Sequence, residues 1–301
     1  MLSLSLIRQT DRGDKAWHTR ELGLELGYRL LKFVLKTEHL HYGLFEPDIP
    51  VDFSNLKIAQ DRYLQRLVEL IPAGARTILD VGCGTGKTAE HLLEKGYTVD
   101  CVSRGPELTI LATERLGARA TIYRGRYEAV SIPKRYDLVL FSESFQYIPL
   151  DVGIAKSVSL LNPGGHILIC DFFNDPSKGK SPIGGGHSFP NWCETYPQHP
   201  IDLVVERDIT GETAPLHDIA QAFMQEVARP MWEKSFSAAA IRWPFVTCLG
   251  RFLFRKSINR MEQNRISAVR DGASFRYHKI YKTYLFKVRA DAVPRRITRP
   301  S

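Results

Sequence analysis

TILDVGCGTGKT occupies residues 77–88, and its end, GTGKT, has the form of a phosphate-gripping loop. Such a loop needs GxxxxGK[ST], with its second glycine five positions after the first. Five positions before Gly86 stands Val81, so the spacing misses. What the stretch does contain is Gly82-x-Gly84-x-Gly86, directly after an apolar run that ends in Asp80. Glycines allow sharp turning and close approach of backbone to a ligand. A helix starting near Thr85 would point free amides into the same crevice. Asp80 argues against pyrophosphate there, because two anions would compete. A carboxylate suits a ligand with an ammonium group or hydroxyls.

Working outward, short apolar strands alternate with helices of about ten residues. TILDVG is followed by the helix KTAEHLLEKG, then by the strand YTVDCVS and the helix PELTILATERLG. ATIYRG, RYDLVLFSES and, after the turn NPGG, HILICDFF continue the series. IDLVVERDIT (201–210) and KIYKTYLFKVR (279–289) add two strands, with a mostly helical stretch, 215–273, between them. The pattern implies a mostly parallel α/β sheet of seven strands with helices on both faces. Upstream, ELGLELGYRLLKFVLK (21–36) and NLKIAQDRYLQRLVELI (55–71) have helical periodicity, and HYGLFEPDIP (41–50) is a loop between them. The expected organisation is a helical leader over 1–72, a core over 73–214 and a helical cap over 215–275. A final core strand follows over 276–290, and 291–301 is expected to be a disordered basic tail.

The bulk numbers narrow the class. Forty-four per cent hydrophobic residues fit a folded chain, and disorder throughout would need far fewer. Five scattered cysteines, odd in number and without a CxxC pair, indicate a reducing compartment, hence a cytoplasmic protein, and no zinc site. MLSLSLIRQTDRGDK lacks the basic lead-in and apolar length of a signal peptide. AAAIRWPFVTCLGRFLF is interrupted by Arg242 and Arg251 and falls short of a membrane span, although contact with a membrane surface stays open. The net charge of +8 suits an anionic partner without naming one.

ILDVGCGTG, RYDLVLFSES and LNPGGHILICDFF together resemble the class I S-adenosylmethionine-dependent methyltransferases, which have a Rossmann-like fold. The resemblance covers roughly residues 42–173 and the last two strands, and HYGLFEP is similar to the leader of the small-molecule branch. It implies S-adenosylmethionine as cofactor and S-adenosylhomocysteine as product. By the same resemblance, Asp80 would orient the methionine ammonium. Gly82, Gly84 and Gly86 would let the backbone lie along the ligand, Ser142 and Glu143 would border the methionine part, and Tyr42 would cover the site. The family's acidic residue at the end of the second strand is replaced by Ser103. Asp100 is three positions early and therefore on the other face. Arg126 stands where an aspartate is usual after the third strand, and Arg104 and Tyr127 are placed to flank adenine.

Methyl transfer from a sulfonium is an in-line displacement that needs alignment in a dry, shaped site, and a base only where the nucleophile must lose a proton. His187, in the mobile setting GGGHSFP, is the first candidate base, with His41 and Tyr147 as competitors. Gln146, Asp171, Phe172, Phe173, Trp192, His278 and Tyr281 are further strand-end or loop candidates for the substrate side. No histidine–carboxylate cluster has metal-ligand spacing, so a metal-free site is expected. The resulting expectation is methylation of an O, N or C nucleophile on a small, partly apolar organic molecule, as in natural product biosynthesis. The alternatives are an RNA methyltransferase, or a related fold turned to cyclisation or ligand binding. A basic late region favours RNA, but no RNA-binding module is recognisable and SESFQY replaces the proline-containing tetrapeptide of amino-group methyltransferases, so nucleic acid is disfavoured.

Overall fold

In the computed structural model, residues 12–253, 255–256 and 269–289 are described. The tail over 291–301 lies outside them. Seven strands form one sheet in the order β3-β2-β1-β4-β5-β8-β7. These are β1 (Thr77–Val81), β2 (Thr98–Ser103), β3 (Ile122–Arg124), β4 (Tyr136–Ser142), β5 (Leu161–Asn174), β7 (Ile201–Asp208) and β8 (Lys279–Val288). An eighth, the two-residue β6 (His187–Ser188), pairs with the end of β5 at Phe173 and Asn174. β1 to β5 run parallel, and β8 lies antiparallel to both β5 and β7. The NPGG stretch, expected as a turn, is the start of β5, which pairs back to Tyr136 through Leu161.

The strands are apolar on both sides because both sides are covered. Ile78, Leu138 and Leu140 belong to one core, with Tyr63 and Leu67 from α2 (Leu56–Glu69), Ala89 and Leu92 from α3 (Lys87–Glu94), and Ala112 and Leu116 from α4 (Pro106–Leu116). Leu79, Val139 and Phe141 belong to the other, with Ile154 and Val158 from α5 (Leu150–Leu160). Pro106 at the first turn of α4 fixes where that helix starts. Trp192, on α6 (Phe189–Thr195), is fully buried among Phe145, Phe173, Tyr196 and Tyr284, so it is core rather than a wall of a substrate site.

Asp100 confirms the face argument. Its carboxylate accepts from Thr121 N at 2.9 Å, Lys134 Nζ at 2.7 Å and the Tyr136 hydroxyl at 2.8 Å, a structural cluster that holds β2 to its neighbours. Before the sheet come α1 (Arg12–Leu35) and α2, joined by an extended segment. Between β7 and β8 come α7 (Thr210–Thr213), α8 (Pro215–Phe223), α9 (Arg229–Arg242), α10 (Pro244–Leu253) and α11 (Gly272–His278). The strand order reverses between β1 and β4, which leaves a crevice at the carboxyl ends of the strands.

Candidate functional site

That crevice holds a cavity of about 560 Å³, within the range of small-molecule and cofactor sites. A small recess extends it past Asp80 and shares Leu40, His41, Gly82, Gly84 and Ser142 with it.

The loop after β1 builds one wall. Gly82, Gly84 and Gly86 all have left-handed backbone, with φ of +81°, +55° and +78°. At Gly82 a Cβ would collide with the side chain of Ser144, whose hydroxyl donates to Val81 O. Gly84 lines the cavity beside Leu40, whereas Gly86 caps α3 and lies against Ala112 instead. Asp80 is buried, and its Oδ2 has no hydrogen-bond partner. Burial pushes its carboxyl up to about 7. An orphaned buried carboxylate oxygen is costly unless a ligand completes it.

The segment between α1 and α2 lies over this loop. Thr85 Oγ1 donates to Glu38 O at 3.0 Å, and Arg115 ties Thr85 O at 3.0 Å to Glu38 and Glu90. Tyr42 N–H donates to Glu143 Oε1 at 2.6 Å, and the Tyr281 hydroxyl donates to the same oxygen at 2.7 Å. Glu143, at the end of β4, has left-handed backbone (φ +57°). Burial raises its carboxyl to about 8, against the opposing effect of those two donors. The Tyr42 ring lines the cavity and packs against Phe172, His217, Phe275 and Tyr281. Ser142 lines the cavity too, with its hydroxyl 3.0 Å from that of Tyr63.

Ser103, Arg104, Arg126, Tyr127 and Glu128 line the opposite part of the cavity. Ser103 Oγ accepts from Thr109 Oγ1 at 2.7 Å. Tyr127 is mostly committed to the core, with its hydroxyl 3.0 Å from Ser157 Oγ and its ring edge-on to Phe141.

The three candidate bases separate. His41 lines the cavity, but its Nδ1 is 2.8 Å from Tyr42 O and must carry the proton. Its Nε2 lone pair then faces His39 Nδ1 at 3.0 Å, and His39 in turn faces Asp61 Oδ1 at 3.3 Å. Burial, with His39 beside it, lowers the His41 imidazole to about 3. His187 does not line the cavity. Its Nε2 points to the carbonyls of Phe145 and Ile148, at 3.1 and 2.9 Å, and thereby holds β6 to the end of β4. Tyr147 lines the cavity. Asp171 is buried and accepts from both nitrogens of Gln146, at 2.9 and 3.0 Å, while Gln146 Oε1 accepts from Gly186 N–H at 3.0 Å. The pair anchors the glycine loop that closes the far wall.

Leu24, Leu40, Ser144 and Arg270 also line the cavity, and sequence reasoning missed all four. Leu24, Leu40 and Arg270 belong to no motif, whereas Ser144 closes RYDLVLFSES. In the stretch expected as a helical cap, Trp243 and Phe245 face solvent, and from 215–275 only Arg270 reaches the cavity among the described residues. No group of three or more His, Cys, Asp or Glu placed to hold a metal occurs among the described residues.

A family profile described as a methyltransferase domain matches residues 78–165, which include the glycine loop and β1 to β4. Residues 78–165 therefore have the sequence and the fold of a methyltransferase domain. An uncharacterized methyltransferase of Bacillus mycoides is similar to it, at 30% identity over 112 residues, 36% of this chain and 53% of that one. The chain thus spans about half the length of the curated relatives it matches first. Among solved structures, the chain is similar in fold to the [4+2]-cyclase SpnF, with a TM-score of 0.61, 17% identity, and 84% and 88% of the two chains covered. It is also similar to geranyl diphosphate C-methyltransferase from Streptomyces coelicolor A3(2), with a TM-score of 0.58, 14% identity, and 87% and 92% covered.

Proposed function

We propose that this chain binds S-adenosylmethionine along the glycine loop and methylates an O, N or C nucleophile of a small, partly apolar organic molecule. The observation that carries the reading is the orphaned Asp80 oxygen, in a recess that opens on a cavity walled by Tyr42, Tyr147 and Phe172. When bound, the cofactor supplies an electrophilic methyl group on a sulfonium. Asp80 and Glu143 receive the ammonium end, and Gly82 and Gly84 let the backbone approach. Ser103, Arg104 and Arg126 surround the nucleoside end. Tyr42, Phe172, Tyr147 and Gln146 exclude water and orient the acceptor. Because His41 and His187 are both engaged, Tyr147 is the cavity's own candidate for handling an acceptor proton, and an acceptor that needs no deprotonation requires none. The reading involves no metal, so a chelator is expected to leave turnover unchanged. The five cysteines are all unpaired, which supports a reducing, cytoplasmic setting.

Calorimetric titration with S-adenosylmethionine and S-adenosylhomocysteine is the first test, followed by S-adenosylhomocysteine release in the presence of small apolar acceptors. Saturable binding and turnover are expected. The likeness to a cyclase favours one second reading, in which the cofactor binds without giving up its methyl group. Binding with no release across acceptors would favour it, and absence of binding would overturn both.

A further inference from the structure

α9 and α10 meet at Trp243, where φ −137° and ψ 65° break the helix before Pro244. The corner presents large apolar side chains to water: Ile241 is 84% exposed, Trp243 60% and Phe245 89%, and Phe252, at 78%, continues along α10. Single exposed apolar residues are ordinary, but contiguous ones mark interaction sites. None of these side chains lines the cavity, so the proposed reaction leaves them unexplained. The same segment, 229–256, contains six Lys and Arg and one acidic residue. Arg229 pairs with that residue, Glu233, at 2.8 Å, and Arg251 lies over the Phe236 ring at 5.3 Å. Lys234, Arg242, Arg255 and Lys256 are exposed and have no carboxylate within ion-pair distance among the described residues.

We infer that this corner is a docking surface for an anionic lipid bilayer. Charge decides among the occupants. A second copy of the chain, packed symmetrically, would set the cationic segment against itself. A nucleic acid would use the cations but leave Ile241, Phe245 and Phe252 in water. An anionic bilayer satisfies both parts. Its headgroups attract the Lys and Arg side chains, its acyl boundary takes the apolar ones, and Trp243 belongs at the interface between them. The contact is with the surface, since no helix among the described residues is long and apolar enough to cross a membrane. The inference does not depend on the reaction, and its test reads binding alone.

The full chain is sedimented with vesicles of phosphatidylglycerol and phosphatidylcholine, and with vesicles of phosphatidylcholine alone. Sedimentation is expected with the anionic vesicles, to be much weaker with the neutral ones, and to be reversed by high salt. Joint Trp243→Ser and Phe245→Ser substitution is expected to lower the partition by about tenfold or more. Because both side chains lie in solvent, circular dichroism and the thermal midpoint should not change. Joint Lys234→Ser and Arg242→Ser is expected to lower it by about tenfold as well. Three results would overturn the inference. One is a native chain that stays in the supernatant with anionic vesicles. Another is undiminished sedimentation of the Trp243 and Phe245 variant. The last is a native dimer that this variant dissociates, without vesicle binding, which would make the corner a self-interface.

Discussion

Asp80 Oδ2 is buried without a partner, and burial pushes the carboxyl up to about 7. A ligand ammonium beside it favours the ionised form, so the bound pKa lies below the free one. Below pH 7, binding therefore releases a proton from Asp80, and above pH 7 it does not. Affinity for S-adenosylmethionine is expected to rise with pH by up to about tenfold per unit below neutrality and to flatten above it. Calorimetry in buffers of different ionisation heat measures the proton directly, and Asp80→Asn should abolish the release. At the other end of the cavity, Ser103→Asp restores a charged acceptor for ribose hydroxyls and should tighten binding by about tenfold. An unchanged titration curve would show that Glu128, which also lines the cavity, already supplies that acceptor. Gly86 caps α3, but at this scale the places of Gly82 and Gly84 at the cavity and of Asp80 at its recess were legible from the motif. His41 and His187 were not: whether an imidazole has a lone pair to spare depends on carbonyls distant in sequence, such as Phe145 and Ile148 for His187.

The loop after β1 and the end of β4 act as a unit, locked by Ser144 donating to Val81 O across the gap. Gly82→Ala combines a φ of +81° with a collision against Ser144. It should lower stability by about 1–3 kcal/mol and weaken cofactor binding with it. Urea unfolding beside titration would check both, and an alanine variant with native stability would mean that the lock is unimportant. Tyr281→Phe, on β8, removes one of the two donors that stabilise the ionised Glu143. Its expected effect is about 1 kcal/mol of stability and a further rise in the Glu143 pKa. That titration is readable as a shift in the pH dependence of binding. Strands and helices were legible from periodicity because both faces of the sheet are buried. The cavity-lining role of Leu24, Leu40 and Arg270 was not, since it arises from tertiary placement of segments with no motif of their own.

For the whole molecule, the leader, the glycine loop and the ends of β4 and β5 line one cavity, so a ligand there couples segments far apart in the chain. S-adenosylhomocysteine at about a hundred times its dissociation constant should add about 2.7 kcal/mol to unfolding stability. For a chain of this size that raises the thermal midpoint by several degrees, measurable by scanning fluorimetry. No shift at saturating ligand would argue that the cavity does not hold it. Sheet architecture was readable from the sequence as a whole, down to the strands on either side of the helical stretch. That the corner at Trp243 faces solvent was not legible, because amphipathic periodicity does not say which surface a helix faces.

Glu143 combines two features that oppose folding, a left-handed backbone and a carboxyl held away from water. Glu143→Gln keeps an acceptor for Tyr42 N–H and the Tyr281 hydroxyl while discarding the ionisation. A breeding programme that rewarded heat resistance alone is therefore expected to collect neutral replacements at this position, at the expense of the ammonium contact proposed for Glu143.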